Sequence, residues 1–210
     1  MSGVLLRLHY APNSCALAAH LALEEAGLGH QLVKVDFARE QQKSPEFMAL
    51  NPLGRVPVLQ TPHGPLTEVP AILGYIAALA PEAGLVPADP FEAAQLASFN
   101  AFLSSTLHVS FAHHFRPYRW AADEHCRAHL SHQAVAAYAQ QFGLIERFRF
   151  KGPWVMGGQF TVADPYLFLM TRWLARIGLD AAAYPRIREH FERMAQRPAV
   201  RRVLPYHPPA

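Results

Sequence analysis

Apolar and polar positions alternate in two short stretches near the start of the chain, residues 4–9 (VLLRLH) and 31–37 (QLVKVDF), and each reads as a strand. Between them CALAAHLALEEAGL carries apolar residues at helical spacing until Gly27 and Gly29 stop it, so the three segments form a β-α-β unit. RVPVLQTPHGPLTE supplies two short runs on either side of His63-Gly64 and predicts a hairpin. VPAILGYIAALAP then follows as a helix. The pattern changes at PEAGLVPADP, where three prolines interrupt all periodicity and place a linker at residues 81–90. Beyond it the spacing is helical throughout, over about 91–118, 123–148, 161–177 and 185–196, with no convincing strand. The fold class is an α/β domain over residues 1–80 followed by an all-α domain over 91–210.

Thr161 followed three residues later by Asp164 has the form of a capping box, with Phe160 and Pro165 or Tyr166 available as an apolar staple. This is a folding signal and carries no chemistry.

With 51% hydrophobic and 17% charged residues, a chain of 210 can bury a sizeable core. Its longest apolar stretch falls well short of the roughly 20 residues of a membrane span, and Arg7 interrupts any signal-like core, so no membrane partner and a cytoplasmic location are expected. The net charge of +3 is spread along the chain, and the arginines at 186, 188, 193, 197, 201 and 202 read as a solvated helix face, which argues against nucleic acid. Cys15 and Cys126 lie too far apart for a metal motif or a disulfide framework. His108, His113 and His114 point in separate directions at about 100° per residue on one helix, no HExxH is present, and no metal is expected.

Cys15 stands after a Pro-Asn-Ser turn at the start of a helix. Unpaired backbone N–H groups and the positive end of the helix dipole favour a thiolate there, although cysteine is also among the residues most often buried as a plain apolar group. Positions 12 and 18 are Pro and Ala, so any thiol chemistry is monothiol and requires an external thiol.

Tyr-x-Pro-x-x-Cys after strand one, NPLGRVPVL, LTEVPAILGYIA, the Pro-rich linker, TLHVSF and FTVAD occur in this order over nearly the whole chain. Together they resemble the glutathione transferases, and the bacterial beta class most closely. The resemblance implies a thioredoxin-like first domain that binds glutathione, a helical second domain that takes a hydrophobic electrophile, a site in the cleft between them, and a homodimer.

It also implies roles for particular residues. Cys15 matches the cysteine that forms a mixed disulfide with glutathione, and His108 matches the histidine that stabilises thiolate or serves as acid and base. Tyr10 matches the tyrosine at the end of strand one, and stands equally as a catalytic hydroxyl or as an aromatic packed beneath the helix. Pro57 is expected to follow a cis peptide, leaving Val56 to pair with the cysteinyl part of glutathione like an added strand. Glu68 and the amide of Val69 match the grip on the γ-glutamyl end, and Arg39 or Lys43 supplies the cation for the glycyl carboxylate. Phe111, Phe115, Tyr118 and Trp173 are the candidates for the hydrophobic pocket, with Trp120 nearby in sequence. Relatives often carry serine where this chain has Ala16 and Val69, so two hydroxyl contacts are missing, with Ser14 adjacent to the first.

The expected function is therefore glutathione conjugation to hydrophobic electrophiles, or glutathione-dependent reduction of disulfides or peroxides through Cys15. The alternative is a non-catalytic binding or regulatory protein of the same fold, which Ala16 and Val69 favour. An isomerase or dehalogenase reading lacks the serine-rich segment of isomerase relatives.

Overall fold

The computed structural model describes residues 6–208. By its contacts the chain forms two compact units, one running up to Val86 and taking in the residues from Ala195 onward, the other running from Pro87 to Met194.

The first unit holds a four-stranded sheet in the order β2-β1-β3-β4. Strand β1 (Leu6–Tyr10) runs parallel to β2 (His30–Lys34) and antiparallel to β3 (Val58–Thr61), which pairs antiparallel with β4 (Gly64–Leu66). Leu8, fully buried, pairs with Leu32 on one side and Leu59 on the other. Positions 4 and 5 of the expected first strand lie outside the described residues. The second strand stops at Lys34, short of the expected residue 37, because the Asp36 carboxylate accepts from the amides of Ala38 and Arg39 at 3.0 and 3.3 Å and turns the chain.

Helix α1 (Ala16–Glu25) ends at Gly27, whose φ of 64° lets the Leu28 amide reach the Leu23 carbonyl at 3.1 Å. A short helix α2 (Pro45–Leu50) lies in a stretch expected to be loop; Ser44 caps it by accepting from the Phe47 amide, and six residues are too few to show periodicity. Helix α3 (Val69–Leu79) completes the thioredoxin-like arrangement. Leu17, Leu21, Leu23, Leu59, Ile72, Leu73 and Ile76 are all fully buried between the helices and the sheet.

The second unit is helical. Helix α4 (Pro90–Phe102) continues through a wider, π-type segment over 103–107 into α5 (His108–Phe115). This run ends before the expected residue 118 because Pro117 has no N–H to donate and restricts Arg116 before it. Helices α6 (Glu124–Leu144), α7 (Ala163–Arg176) and α8 (Pro185–Gln196) follow, and α8 has the expected bounds. Tyr138 is fully buried and donates to the Met170 carbonyl at 2.9 Å, tying α6 to α7.

Helix α9 (Pro198–Val203) has no counterpart in the sequence reading, being again six residues long. It packs against α1 within the first unit. Arg197 makes a two-pronged contact with Glu25, its Nη2 donating to Oε2 at 2.6 Å, and Arg202 donates to Glu24 at 2.8 Å.

Candidate functional site

The Pro12-Asn13-Ser14 turn brings the chain from β1 to the head of α1, and Asn13 takes the left-handed φ of 57° that such a tight turn requires and that asparagine tolerates. Cys15 occupies the N-cap position of α1, half-buried, with no side-chain cap across the first turn. Its Sγ donates to the Val56 carbonyl at 3.4 Å. The Val56–Pro57 peptide is cis, and Val56, 8% exposed, belongs to a small cluster with Ala11, Val35, Phe47 and Val58. The structure thus joins two sequence-predicted positions 41 residues apart.

Two residues missed in the sequence shape that loop. Asn51 donates to the Arg55 carbonyl at 2.7 Å and accepts from the Leu53 amide at 3.1 Å, and Gly54 has a φ of 59° with a Gln42 carbonyl 3.1 Å from where a Cβ would stand. A side chain at Gly54 would strain the backbone and crowd that carbonyl, which is the physical content of the NPLGR signal.

Ser14 cannot readily replace the hydroxyl missing at Ala16. Its hydroxyl donates to the Ala11 carbonyl at 2.7 Å and accepts from the Ala16 amide at 3.3 Å, so its proton is committed to the turn. The Tyr10 ring faces His207 and His20, with centroids 5.2 and 6.5 Å apart. Burial, with Tyr206 nearby, raises the Tyr10 phenol above its ordinary value, so it stays a protonated donor.

Glu68 is the residue before α3 and holds φ 68° and ψ 119°, a conformation costly for any residue with a Cβ. Its side chain makes no cap, and Val69 behind it is buried. Arg39 and Lys43 lie on the loop between β2 and α2, both well exposed. Arg39 stands 3.7 Å from Asp36, and Lys43 pairs with Glu40. Exposed pairs of this kind hold their cations only weakly.

In the second unit His108, at the start of α5, meets the Trp173 ring of α7 at 5.0 Å between centroids. Phe111 stacks on Trp173 at 4.1 Å and 17°, and Phe115 extends the row at 4.6 Å from Phe111. Phe111 and Trp173 are each 4% exposed, whereas Phe115 and Tyr118 are 39% and 59% exposed, so only part of this row offers open surface. The Arg176 guanidinium lies 5.4 and 5.2 Å from the Phe111 and Phe115 rings, a cation–π contact one turn beyond Trp173 that periodicity alone did not reveal.

The capping box forms and goes beyond its local pattern. Thr161 donates its amide to Asp164 Oδ2 at 2.7 Å, while Oδ1 accepts from the Val155 amide at 2.8 Å and from His190 Nε2 at 3.0 Å. All three residues of the Thr161–Asp164–His190 group are fully buried. Among the described residues no helix is long and apolar enough to cross a membrane.

Family models match each of the two parts of the chain. The model described as "Glutathione S-transferase, N-terminal domain" matches residues 4–78, and "Glutathione S-transferase, C-terminal domain" matches residues 108–198. Glutathione S-transferase GstA of Escherichia coli O157:H7 is 31% identical over 205 residues, covering 95% of this chain and 97% of that protein. A glutathione transferase homolog from Sulfitobacter, solved with bound glutathione, superposes with a TM-score of 0.92 at 42% identity over 95% of this chain and 97% of that one. A bacterial beta class glutathione S-transferase from Sphingomonas chungbukensis gives 0.82 at 37% identity over the same shares. With both halves of the architecture, the cysteine at the head of α1 and these similarities over nearly the full length, the chain belongs to the glutathione S-transferase family and resembles its bacterial beta class.

Proposed function

We propose that the protein binds glutathione on its sheet-containing unit and uses it in thiol chemistry, either conjugating it to apolar electrophiles or reducing disulfides or peroxides through Cys15. The observation that carries this reading is the Cys15 thiol at the N-cap position of α1, its side chain capping nothing, 3.4 Å from the carbonyl of Val56. Val56 is the residue whose backbone would pair with the cysteinyl part of glutathione, so the tripeptide's sulfur would be delivered beside Cys15.

Glu68 would meet the glutathione ammonium and the first-turn amide of Val69 its γ-glutamyl carboxylate, while Arg39 or Lys43 would turn from its weak surface pair to the glycyl carboxylate. In conjugation the glutathione sulfur, held as thiolate by the α1 amides, attacks an electrophilic carbon and releases its leaving group. In the redox mode the Cys15 thiolate attacks oxidised glutathione, forms a mixed disulfide, and releases one reduced glutathione. His108, beside the Trp173–Phe111 stack, would carry the proton on the helical unit, and the aromatic row would take the apolar co-substrate. Homodimerisation and a cytoplasmic location belong to the same reading.

Turnover of a chloroaromatic electrophile with glutathione, together with retention on immobilised glutathione, tests the proposal. Absence of both overturns it. Retention without turnover selects the second reading, a glutathione-binding protein that is not an enzyme. The committed Ser14 hydroxyl and the apolar Ala16 and Val69 favour that reading, because they leave fewer donors for a developing thiolate.

A further inference from the structure

We propose that His20, Glu24 and His30 form a binding site for a zinc-class divalent cation between the second half of α1 and the start of β2, built from residues the glutathione chemistry does not use. His20 and Glu24 lie one turn apart on α1, and His30 opens β2 after the Gly27 turn brings the chain back beside them. One ligand atom from each lies within 4.8 Å of the other two, and His30 Nε2 is already 3.9 Å from Glu24 Oε1. Donors on a tetrahedral zinc ion with bonds of about 2.0–2.1 Å stand about 3.3 Å apart, so small side-chain rotations close the triangle.

Each ligand is also held from behind, as metal ligands are. The Nδ1 of His30 lies 2.8 Å from the Leu28 carbonyl, which can only accept, so the proton sits on Nδ1 and Nε2 presents its lone pair towards Glu24. The Nδ1 of His20 is 3.2 Å from Nε2 of the fully buried His207; a proton on that Nδ1 leaves Nε2 as the donor atom. Arg202 engages Oε2 of Glu24 at 2.8 Å and leaves Oε1 facing His30.

Two imidazoles and one carboxylate are a donor set for zinc and its neighbours in the first transition row rather than for magnesium or calcium. The Glu24 side chain is 25% exposed, so the cluster reaches the surface on its carboxylate side. The spacing, four residues and then six across a helix-to-strand turn, matches none of the usual motif spacings.

The test is titration of metal-free, full-length protein with Zn2+ against a chromogenic chelator, without glutathione because its thiol competes for the ion. The expected result is one equivalent bound, weakened in His30→Ala and in Glu24→Gln by at least the about 10–100-fold that loss of even an outer ligand partner costs. Co2+ should give the intense visible bands of a low-coordinate site in wild type and lose them in both variants. His125 and His129, an exposed pair one turn apart on α6, provide the control, and His125→Ala/His129→Ala should leave binding unchanged. Circular dichroism shows that each variant is folded, and Glu24→Gln keeps the side-chain volume if His30→Ala is not. Binding that survives both ligand variants, binding that vanishes only with the α6 pair, or absence of stoichiometric binding overturns the proposal.

Discussion

At the head of α7 the Asp164 carboxylate accepts from the Thr161 amide and hydroxyl, the Val155 amide and His190, four donors on two buried oxygens. At the head of α1 the N-cap position belongs to Cys15, whose side chain caps nothing. The contrast extends beyond this pair. Asp89 caps α4, Asp123 caps α6, and Glu146 reaches from 40 residues away to accept from the first amides of α8, whereas α3 begins at an uncapping Glu68 with a positive φ. Helix heads in the helical unit are filled by side chains that fold the protein. The head of α3 has no capping side chain, and at the head of α1 only the Ser14 hydroxyl, accepting from the Ala16 amide at 3.3 Å, meets the first turn; a further capping side chain at either would compete with the ligand for the same amides.

The comparison can be broken or sharpened by substitution. Asp164→Ala should cost about 3–5 kcal/mol, because it strands buried donors, and the urea midpoint reads it. A loss under about 1 kcal/mol would mean that the filled head is not structural. Arg197→Ala, which removes the tie from α9 to Glu25 of α1, should cost about 1–2 kcal/mol in the same assay, since this pair is partly screened by solvent. Glu68→Gly should move in the opposite direction, gaining about 1 kcal/mol of stability by relieving φ 68° while weakening glutathione binding at least about tenfold. If Glu68→Gly instead bound glutathione as tightly as wild type by calorimetry, the residue would be a mere helix start.

Cys15→Ala should change stability least, by under about 1 kcal/mol, yet abolish the mass increase of one glutathione after incubation with oxidised glutathione. An adduct that persists in Cys15→Ala would move the chemistry to the exposed Cys126.

Much of this was legible where the signal is local. The Gly27 stop, the His63-Gly64 hairpin and the Thr161–Asp164 box depend on residues within five positions of one another, and each formed where the pattern put it. The short helices α2 and α9 were not legible, because six residues complete fewer than two turns and display no periodic face. Of the candidate site, the residue types and order were visible. The use of the Ser14 hydroxyl within its turn, the position of Arg176 over the aromatic row and the direction of the Tyr10 ring were not.

The sequence by itself determined the class of fold, the family, and the cysteine at the start of α1, because hydrophobic period, turn residues and caps act over a few bonds of chain. Only the tertiary structure decided what each polar group faces. His190 completes the Asp164 cluster from 26 residues away, and His207 meets His20 across 187. Such pairings are fixed by the packing of whole elements, whose geometry no local pattern encodes. The role of a buried histidine or carboxylate depends on that packing more than on its neighbours in the chain.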